Sequence, residues 1–141
     1  MNVLIFDYGL GNLRSVEQML QFFGFSAKIS SDPSLISSDT LLVLPGQGSF
    51  GVAMNQLEEL NAIDPIKNHI KNQSPFLGIC VGFQVLFEGS DEAPDTPGLG
   101  LFPGRFKKFN ASIEHKVPHM GWNQIELDSS DSLSELFNSH P

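Results

Sequence analysis

Residues 76–84 have the sequence FLGICVGFQ, the most informative segment of the chain for predicting its fold class. Its apolar start predicts a short buried strand, and residues 83–88 predict a helix. Cys80 lies between the two, with Gly78 and Gly82 two residues away on either side. A nucleophile on a tight turn between a strand and a helix needs such small neighbours. The pattern therefore predicts a nucleophile elbow.

Cys80 is the only cysteine of the chain. In an elbow, the following helix directs free backbone N–H groups toward the cysteine, which favours thiolate over thiol and offers a donor to an oxyanion. The sequence therefore predicts that Cys80 is a catalytic nucleophile. The alternative is that Cys80 is a small buried apolar residue, which is the commoner role of an isolated cysteine.

Length and composition predict one folded domain over residues 1–141, because 40% of the 141 residues are apolar. The net charge of −8 argues against nucleic acid and anionic membranes as partners. No Cys and His cluster has zinc spacing, so neither a metal nor a cofactor is expected. The N-terminal residues lack the pattern of a signal peptide, and no apolar run reaches transmembrane length. A cytoplasmic protein is therefore expected.

Apolar runs and helical patterns alternate before Cys80. Strands are predicted at 3–6, 27–29 and 41–44, and short helices at 52–60 and 65–71. Asn12 is expected to cap a further helix, whose apolar stripe ends with Phe23 before Gly24. The order predicts an open, mostly parallel α/β sheet with helices on both faces. The loops that begin at Tyr8, Pro45 and Cys80 would then open at the carboxyl ends of the strands, where such sheets bind ligands.

Beyond Ser90 the pattern changes. Residues 91–98 are acidic and interrupted by proline, which predicts a loop. Residues 105–109 and 124–127 predict exposed antiparallel strands, and Asp131 is expected to cap a last helical turn.

Residues 46–51, GQGSFG, match the dinucleotide-binding fingerprint G-x-G-x-x-G. That fingerprint also needs an acidic residue at the end of the next strand, which here ends at Cys80, so a dinucleotide is not expected. Loops at neighbouring strand ends can instead aim backbone N–H groups at one carbonyl oxygen. Gly48 and the Val81 amide are therefore candidates for an oxyanion hole. The alternative is a tight turn that only begins a helix.

Four stretches of the chain resemble one known family. They are residues 7–13, DYGLGNL; 44–51, LPGQGSFG; 77–84, LGICVGFQ; and 116–123, KVPHMGWN. The elbow alone is typical of the glutamine amidotransferase superfamily. The first and last stretches are similar to the glutaminase subunit of imidazole glycerol phosphate synthase, a class I glutamine amidotransferase of histidine biosynthesis. The resemblance extends over essentially the whole chain and implies a flavodoxin-like fold.

The resemblance implies that Cys80 attacks the side-chain amide of glutamine, releases ammonia and leaves a glutamyl thioester that water hydrolyses. The backbone of Gln47 and Gly48, together with the Val81 amide, would form the oxyanion hole. The family usually has an aliphatic residue at the position of Gln47, although backbone donors do not depend on that side chain.

The resemblance also implies residues that bind the substrate and a partner. Gln84 would hold glutamine and Glu92 would bind its amino-acid end; the alternatives are a solvated helix position and a solvated acid. Asn12, His119 and Trp122 fall where the family docks its cyclase subunit, a separate (β/α)₈ barrel that consumes the ammonia. The alternative for His119 and Trp122 is an ordinary core pair.

The chain departs from the family pattern at the residues that supply the catalytic base. The chain ends before the distal His-x-Glu pair that supplies the base in the family, so we expect a glutamine amidotransferase type 1 domain that is incomplete at its C-terminus. His140 precedes a proline, as in many such pairs, but it follows Trp122 too closely and is not expected to be the base. His69 and His115 have weaker claims. Two other functions stay open, a non-catalytic docking module and a different cysteine hydrolase on the same sheet.

Overall fold

The computed structural model describes residues 2–110, 117, 121, 122 and 124. The chain divides into two compact units, Met1–Lys108 and Phe109–Pro141, and the elements below belong to the first. The single domain expected over residues 1–141 stays a prediction. No helix among the described residues is long and apolar enough to cross a membrane.

Four parallel strands form the main sheet, in the order β2-β1-β3-β4. They are β1 (Asn2–Phe6), β2 (Ala27–Ser30), β3 (Thr40–Gly46) and β4 (Phe76–Cys80). Residues 3–6 of the central strand β1 are all buried, as expected for a parallel strand that is covered on both faces. The strands lie where the sequence predicts them, and β3 extends farther at both ends.

Helices cover both faces of this sheet. They are α1 (Leu13–Phe22), α2 (Phe50–Glu59), α3 (Ile63–Lys71) and the short α4 (Val81–Gln84), with a 3-10 turn at Pro33–Leu35. Alternate strand residues face opposite sides: Val3 and Ile5 pack with residues of α1, whereas Leu4 and Phe6 pack with residues of α2 and α3. The predicted parallel α/β sheet with helices on both faces is therefore confirmed.

Helix α1 begins and ends at the predicted residues, but the prediction that Phe23 belongs to its apolar stripe is wrong. The Asn12 side chain accepts a hydrogen bond from the Ser15 N–H at 3.2 Å and so caps the helix. At the other end, Gly24 has φ +82° and the Phe25 N–H donates to the Leu20 carbonyl, a helix-terminating arrangement. Phe23 is the C-cap, so its side chain leaves the helical face and is 66% exposed.

A second sheet follows α4, where the sequence predicts a loop. Its strands are β5 (Gly89–Ser90), β6 (Ala93–Pro97) and β7 (Arg105–Phe106), in the order β6-β5-β7. Strand β6 is an edge strand, where proline is tolerated because one side needs no ladder hydrogen bond. The predicted loop at 91–98 is therefore wrong in part.

The second sheet also corrects the strand predicted at 105–109. Strand β7 is shorter and pairs with β5 in parallel rather than antiparallel orientation. The Arg105 guanidinium donates to the carbonyls of Ser90 at 3.3 Å and Pro94 at 3.2 Å, which joins the three strands. The predicted strand at 124–127, apart from Gln124, and the helical turn after Asp131 lie outside the described residues.

The helix predicted at 83–88 is wrong in its bounds, since α4 begins at Val81 and ends at Gln84. A longer helix would need the N–H groups of residues 86–88 to donate to the carbonyls four residues before them. Instead, Leu86 and Phe87 donate to carbonyls three residues back, both at 3.2 Å, and the Glu88 N–H donates to the Gly104 carbonyl at 3.0 Å. The segment that follows β6 therefore ends the helix.

We expect Leu42→Ala to lower the free energy of unfolding by about 2–5 kcal/mol, because Leu42 is fully buried in β3 and the truncation leaves a cavity. The matched control is Leu77→Ala in β4, whose side chain is 44% exposed, and here we expect a loss below about 1 kcal/mol. Urea unfolding of both variants measures the difference. Equal losses would contradict the placement of these two strands.

Candidate active site

The carboxyl ends of β3 and β4 meet at Cys80. The strand register pairs Gly46, the last residue of β3, with Cys80, the last residue of β4. Strand β1 lies on the other side of β3 and leads into Tyr8. The segments that follow β1, β3 and β4 therefore begin at one end of the main sheet, which is the end where parallel sheets bind ligands.

Cys80 has the strained backbone of a nucleophile elbow, with φ +56° and ψ −116°. A positive φ in a residue other than glycine costs roughly 1–3 kcal/mol. A Cβ built on Gly82 would overlap the carbonyl oxygen of Leu44, and one built on Gly78 would lie 2.9 Å from the α-carbon of Phe83. No larger residue fits at either position, so the elbow predicted from the flanking glycines is confirmed.

The Cys80 thiol is exposed, and helix α4 begins at the next residue. The first N–H groups of a helix have no intrahelical acceptor, so the backbone donors of the first turn of α4 follow directly after Cys80 in the chain. Because α4 has only four residues, its dipole contributes less than that of the longer helix predicted from the sequence. The local N–H groups therefore matter more than the helix as a whole.

Residues 46–49 form the candidate oxyanion loop, which runs from the last residue of β3 to the N-cap of α2. Gln47 and Gly48 are exposed. Gly48 has φ +107°, and a Cβ built on it would meet nothing within 4 Å. Position 48 therefore favours glycine because of its backbone conformation, and not because a side chain would lack space. Since Gly46 is the register partner of Cys80, the N–H groups of Gln47 and Gly48 follow directly after the residue opposite the thiol.

Glu92 lies next to the candidate oxyanion loop, although 42 residues separate it from Phe50 in sequence. Its Oε2 accepts the Phe50 N–H at 3.5 Å, at the first residue of α2. A carboxylate is favourable at a helix N-terminus. Gln84, the other residue expected to bind substrate, is half-buried at the end of α4. The contact of Glu92 with α2 depends on the second sheet, so no local sequence pattern predicts it.

The residues expected to contact a partner are described only in part. Asn12 is exposed and its side-chain oxygen caps α1, while Trp122 is fully exposed. His119 lies outside the described residues. The interface role of these three residues stays a prediction.

His69 lies far from Cys80, at the opposite end of the main sheet. It is buried in α3, and its Nε2 donates to the carbonyl of Pro75 at 2.9 Å. Pro75 directly precedes β4, whose other end carries Cys80. His69 therefore cannot serve as a base for this thiol. His115 and His140 lie outside the described residues, and no three His, Cys, Asp or Glu side chains within the described ranges lie together as a metal site.

Tyr8 is a residue of this site that the sequence analysis missed. It follows β1 and is 1% exposed. Its hydroxyl finds no hydrogen-bond partner among the described residues. Burial raises the pKa of Tyr8 well above its usual value, and the negative charge of a Cys80 thiolate raises it by a smaller amount. The available signal was a tyrosine, the only one of the chain, directly after the central strand.

Comparisons with known proteins agree with this geometry. The family model of class-I glutamine amidotransferases matches residues 4–140. A subunit of imidazole glycerol phosphate synthase from Thermus thermophilus, named HisH, is 48% identical over 127 residues, which are 90% of this chain and 63% of that protein. The corresponding subunit from Aquifex aeolicus is 43% identical over 136 residues, 96% of this chain and 65% of that protein.

The chain thus spans a little under two thirds of the length of these relatives. A crystal structure of a glutamine amidotransferase has a TM-score of 0.60 with 18% identity, and the match covers 74% of this chain and 55% of that one. At this identity the likeness shows the fold alone. The family match over residues 4–140, together with the elbow at Cys80, shows that the chain belongs to the class-I glutamine amidotransferases.

Proposed function

We propose that this chain is the glutamine-hydrolysing subunit of an imidazole glycerol phosphate synthase. The main support for this proposal is the strained backbone of Cys80, which lies opposite Gly46 at the carboxyl end of the sheet. An exposed thiol on an elbow, directly before the free backbone N–H groups that begin a helix, suits acyl transfer through a covalent intermediate.

The proposed reaction begins when the Cys80 thiolate attacks the carbonyl carbon of the glutamine side-chain amide. The new S–C bond turns the amide oxygen into an oxyanion. When this tetrahedral intermediate collapses, the C–N bond breaks and the nitrogen leaves as ammonia, having gained a proton. Water then attacks the thioester, which releases glutamate and restores the thiol. The family resemblance assigns the proton transfers to a His-x-Glu pair.

The backbone N–H groups of Gln47, Gly48 and Val81 would stabilise the oxyanion. Their proposed roles are supported by the register of Gly46 with Cys80 and by the position of Val81 at the start of α4. A donor aimed at the developing charge lowers the barrier, and loss of one such donor costs about a hundredfold to a thousandfold in kcat.

Gln84 and Glu92 would bind the rest of the substrate. Glu92 carries the negative charge that the ammonium group of an amino acid requires, and its contact with Phe50 holds it beside the candidate oxyanion loop. Gln84 is the last residue of α4, the short helix that begins directly after Cys80, and this position supports its proposed role.

The proposed partner is a cyclase subunit with a (β/α)₈ barrel, which would use the ammonia to form imidazole glycerol phosphate. The support is the similarity to proteins named as subunits of that synthase. The exposed Asn12 and Trp122, with His119, are the proposed contact residues. The resulting heterodimer would act as a lyase in histidine biosynthesis, and its cytoplasmic location stays a prediction.

Cys80→Ala in the full-length gene product with its cyclase is expected to lower glutamine hydrolysis by at least about a thousandfold, because Cys80 is the only cysteine among residues 1–141 and its thiol is the proposed nucleophile. Ammonia release in the presence of glutamine is the measurement. The control is thermal unfolding, which we expect to be unchanged. A variant with more than a few per cent of the original rate would contradict the role of Cys80. Ammonia release from other amides but not glutamine would indicate a different cysteine hydrolase.

Two substitutions of Gln47 distinguish the contribution of its side chain to kcat from that of its backbone N–H group. Gln47→Ala keeps the N–H group, and because the side chain is exposed we expect kcat to stay within about threefold of the original. Gln47→Pro removes the N–H group, and we expect kcat to fall by about a hundredfold or more. If the two variants had the same kcat for glutamine hydrolysis, the Gln47 N–H would not be an oxyanion donor.

Gly82→Ala is expected to abolish glutamine hydrolysis, because its methyl group would overlap the Leu44 carbonyl and force α4 away from β3. The matched control is Gly51→Ala in α2, where the added Cβ would lie 3.1 Å from the Ala93 methyl and needs only a small adjustment. We expect this control to keep most of the activity. Steady-state assays of both proteins test the elbow, and an active Gly82→Ala protein would refute it.

A further inference from the structure

The Tyr8 hydroxyl lies behind the candidate oxyanion loop. A Cβ built on Gly46 would lie 2.6 Å from this hydroxyl oxygen, 2.6 Å from the Gly82 nitrogen and 2.9 Å from the Val81 Cβ. The phenol oxygen therefore lies against Gly46, close to the first turn of α4. It is thus next to both groups of backbone donors that the proposed oxyanion hole would use.

This hydroxyl is buried without a partner. Tyr8 is 1% exposed, and its hydroxyl oxygen has no hydrogen-bond partner among the described residues. Buried hydroxyl groups are nearly always hydrogen-bonded, because water is not available to replace the missing bond. A phenylalanine would fill the same space without this cost. The unpaired hydroxyl would therefore stabilise any arrangement of its neighbours that brings a hydrogen-bond acceptor to it.

The candidate oxyanion loop is the neighbour that is free to change. Gln47 and Gly48 are exposed, and Gly48 has open space around it and a positive φ. A trans peptide group points its C=O and N–H to opposite sides. When the Gln47 N–H turns toward a substrate oxyanion, the Gly46 carbonyl must therefore turn the other way.

We propose that Tyr8 is a positioning residue for glutamine hydrolysis: its hydroxyl donates a hydrogen bond to the Gly46 carbonyl when the Gln47 N–H faces the oxyanion. The inference rests on the proposed function and adds to it a residue that acts through the loop. The hydrogen bond favours the active arrangement of the peptide, so it shifts the population of the loop toward that state. The raised pKa of Tyr8 keeps its proton in place for this bond at neutral pH.

The test is Tyr8→Phe in the full-length gene product with its cyclase. We expect kcat for glutamine to fall about tenfold, as for the loss of one hydrogen bond made in the reacting state, while KM changes less than about twofold. Alkylation of Cys80 by iodoacetamide needs no oxyanion hole and should keep its rate. The unfolding temperature should not fall, because the hydroxyl makes no hydrogen bond among the described residues.

Tyr8→Leu serves as the matched variant, since it also removes the ring. It is expected to lower the unfolding temperature, which separates ring packing from the role of the hydroxyl. An unchanged kcat in Tyr8→Phe would overturn the inference, and so would a fall in kcat that accompanies an equal fall in the alkylation rate or a lower unfolding temperature. The unsubstituted protein is assayed in parallel. If it hydrolyses no glutamine, the proposed function fails, and the inference fails with it.

Discussion

The close approach of Gly82 to the carbonyl of Leu44 is the constraint on which the rest of the site depends. It leaves no room for a Cβ, so the first turn of α4 lies directly on β3. This contact holds the end of β4 in the conformation that Cys80 needs, with φ +56°. A strained residue persists only where its surroundings determine its position. Here the surroundings are two parallel strands in register and a helix that begins immediately after them.

The main sheet and the nucleophile could be predicted from sequence because their signals are local. Continuous apolar runs indicate buried parallel strands, and glycines two residues on either side of Cys80 indicate the elbow. The first helix was predictable for the same reason, since Asn12 and Gly24 act on the turns next to them. Phe23 was misplaced because its periodicity continues through the residue where the helix ends.

The remaining errors concern contacts between distant residues. The second sheet depends on Arg105, which binds carbonyls 11 and 15 residues away. The early end of α4 depends on the Gly104 carbonyl, which accepts the Glu88 N–H. The contact of Glu92 with Phe50 and the position of Tyr8 behind Gly46 also arise only when the chain is folded. None of these contacts has a periodic pattern that could reveal it in advance.

The order of the strands has a consequence for folding. Strand β4 pairs with β3, and β3 pairs with β1, so each pairing joins segments that are separated by a helix or a long connection. The elbow cannot form before β3 has docked, because the Leu44 carbonyl is the surface on which Gly82 rests. Until that point Cys80 belongs to an ordinary flexible segment. Cys80 therefore adopts its strained backbone conformation only when the sheet assembles. A nascent chain contains the cysteine before the elbow has formed.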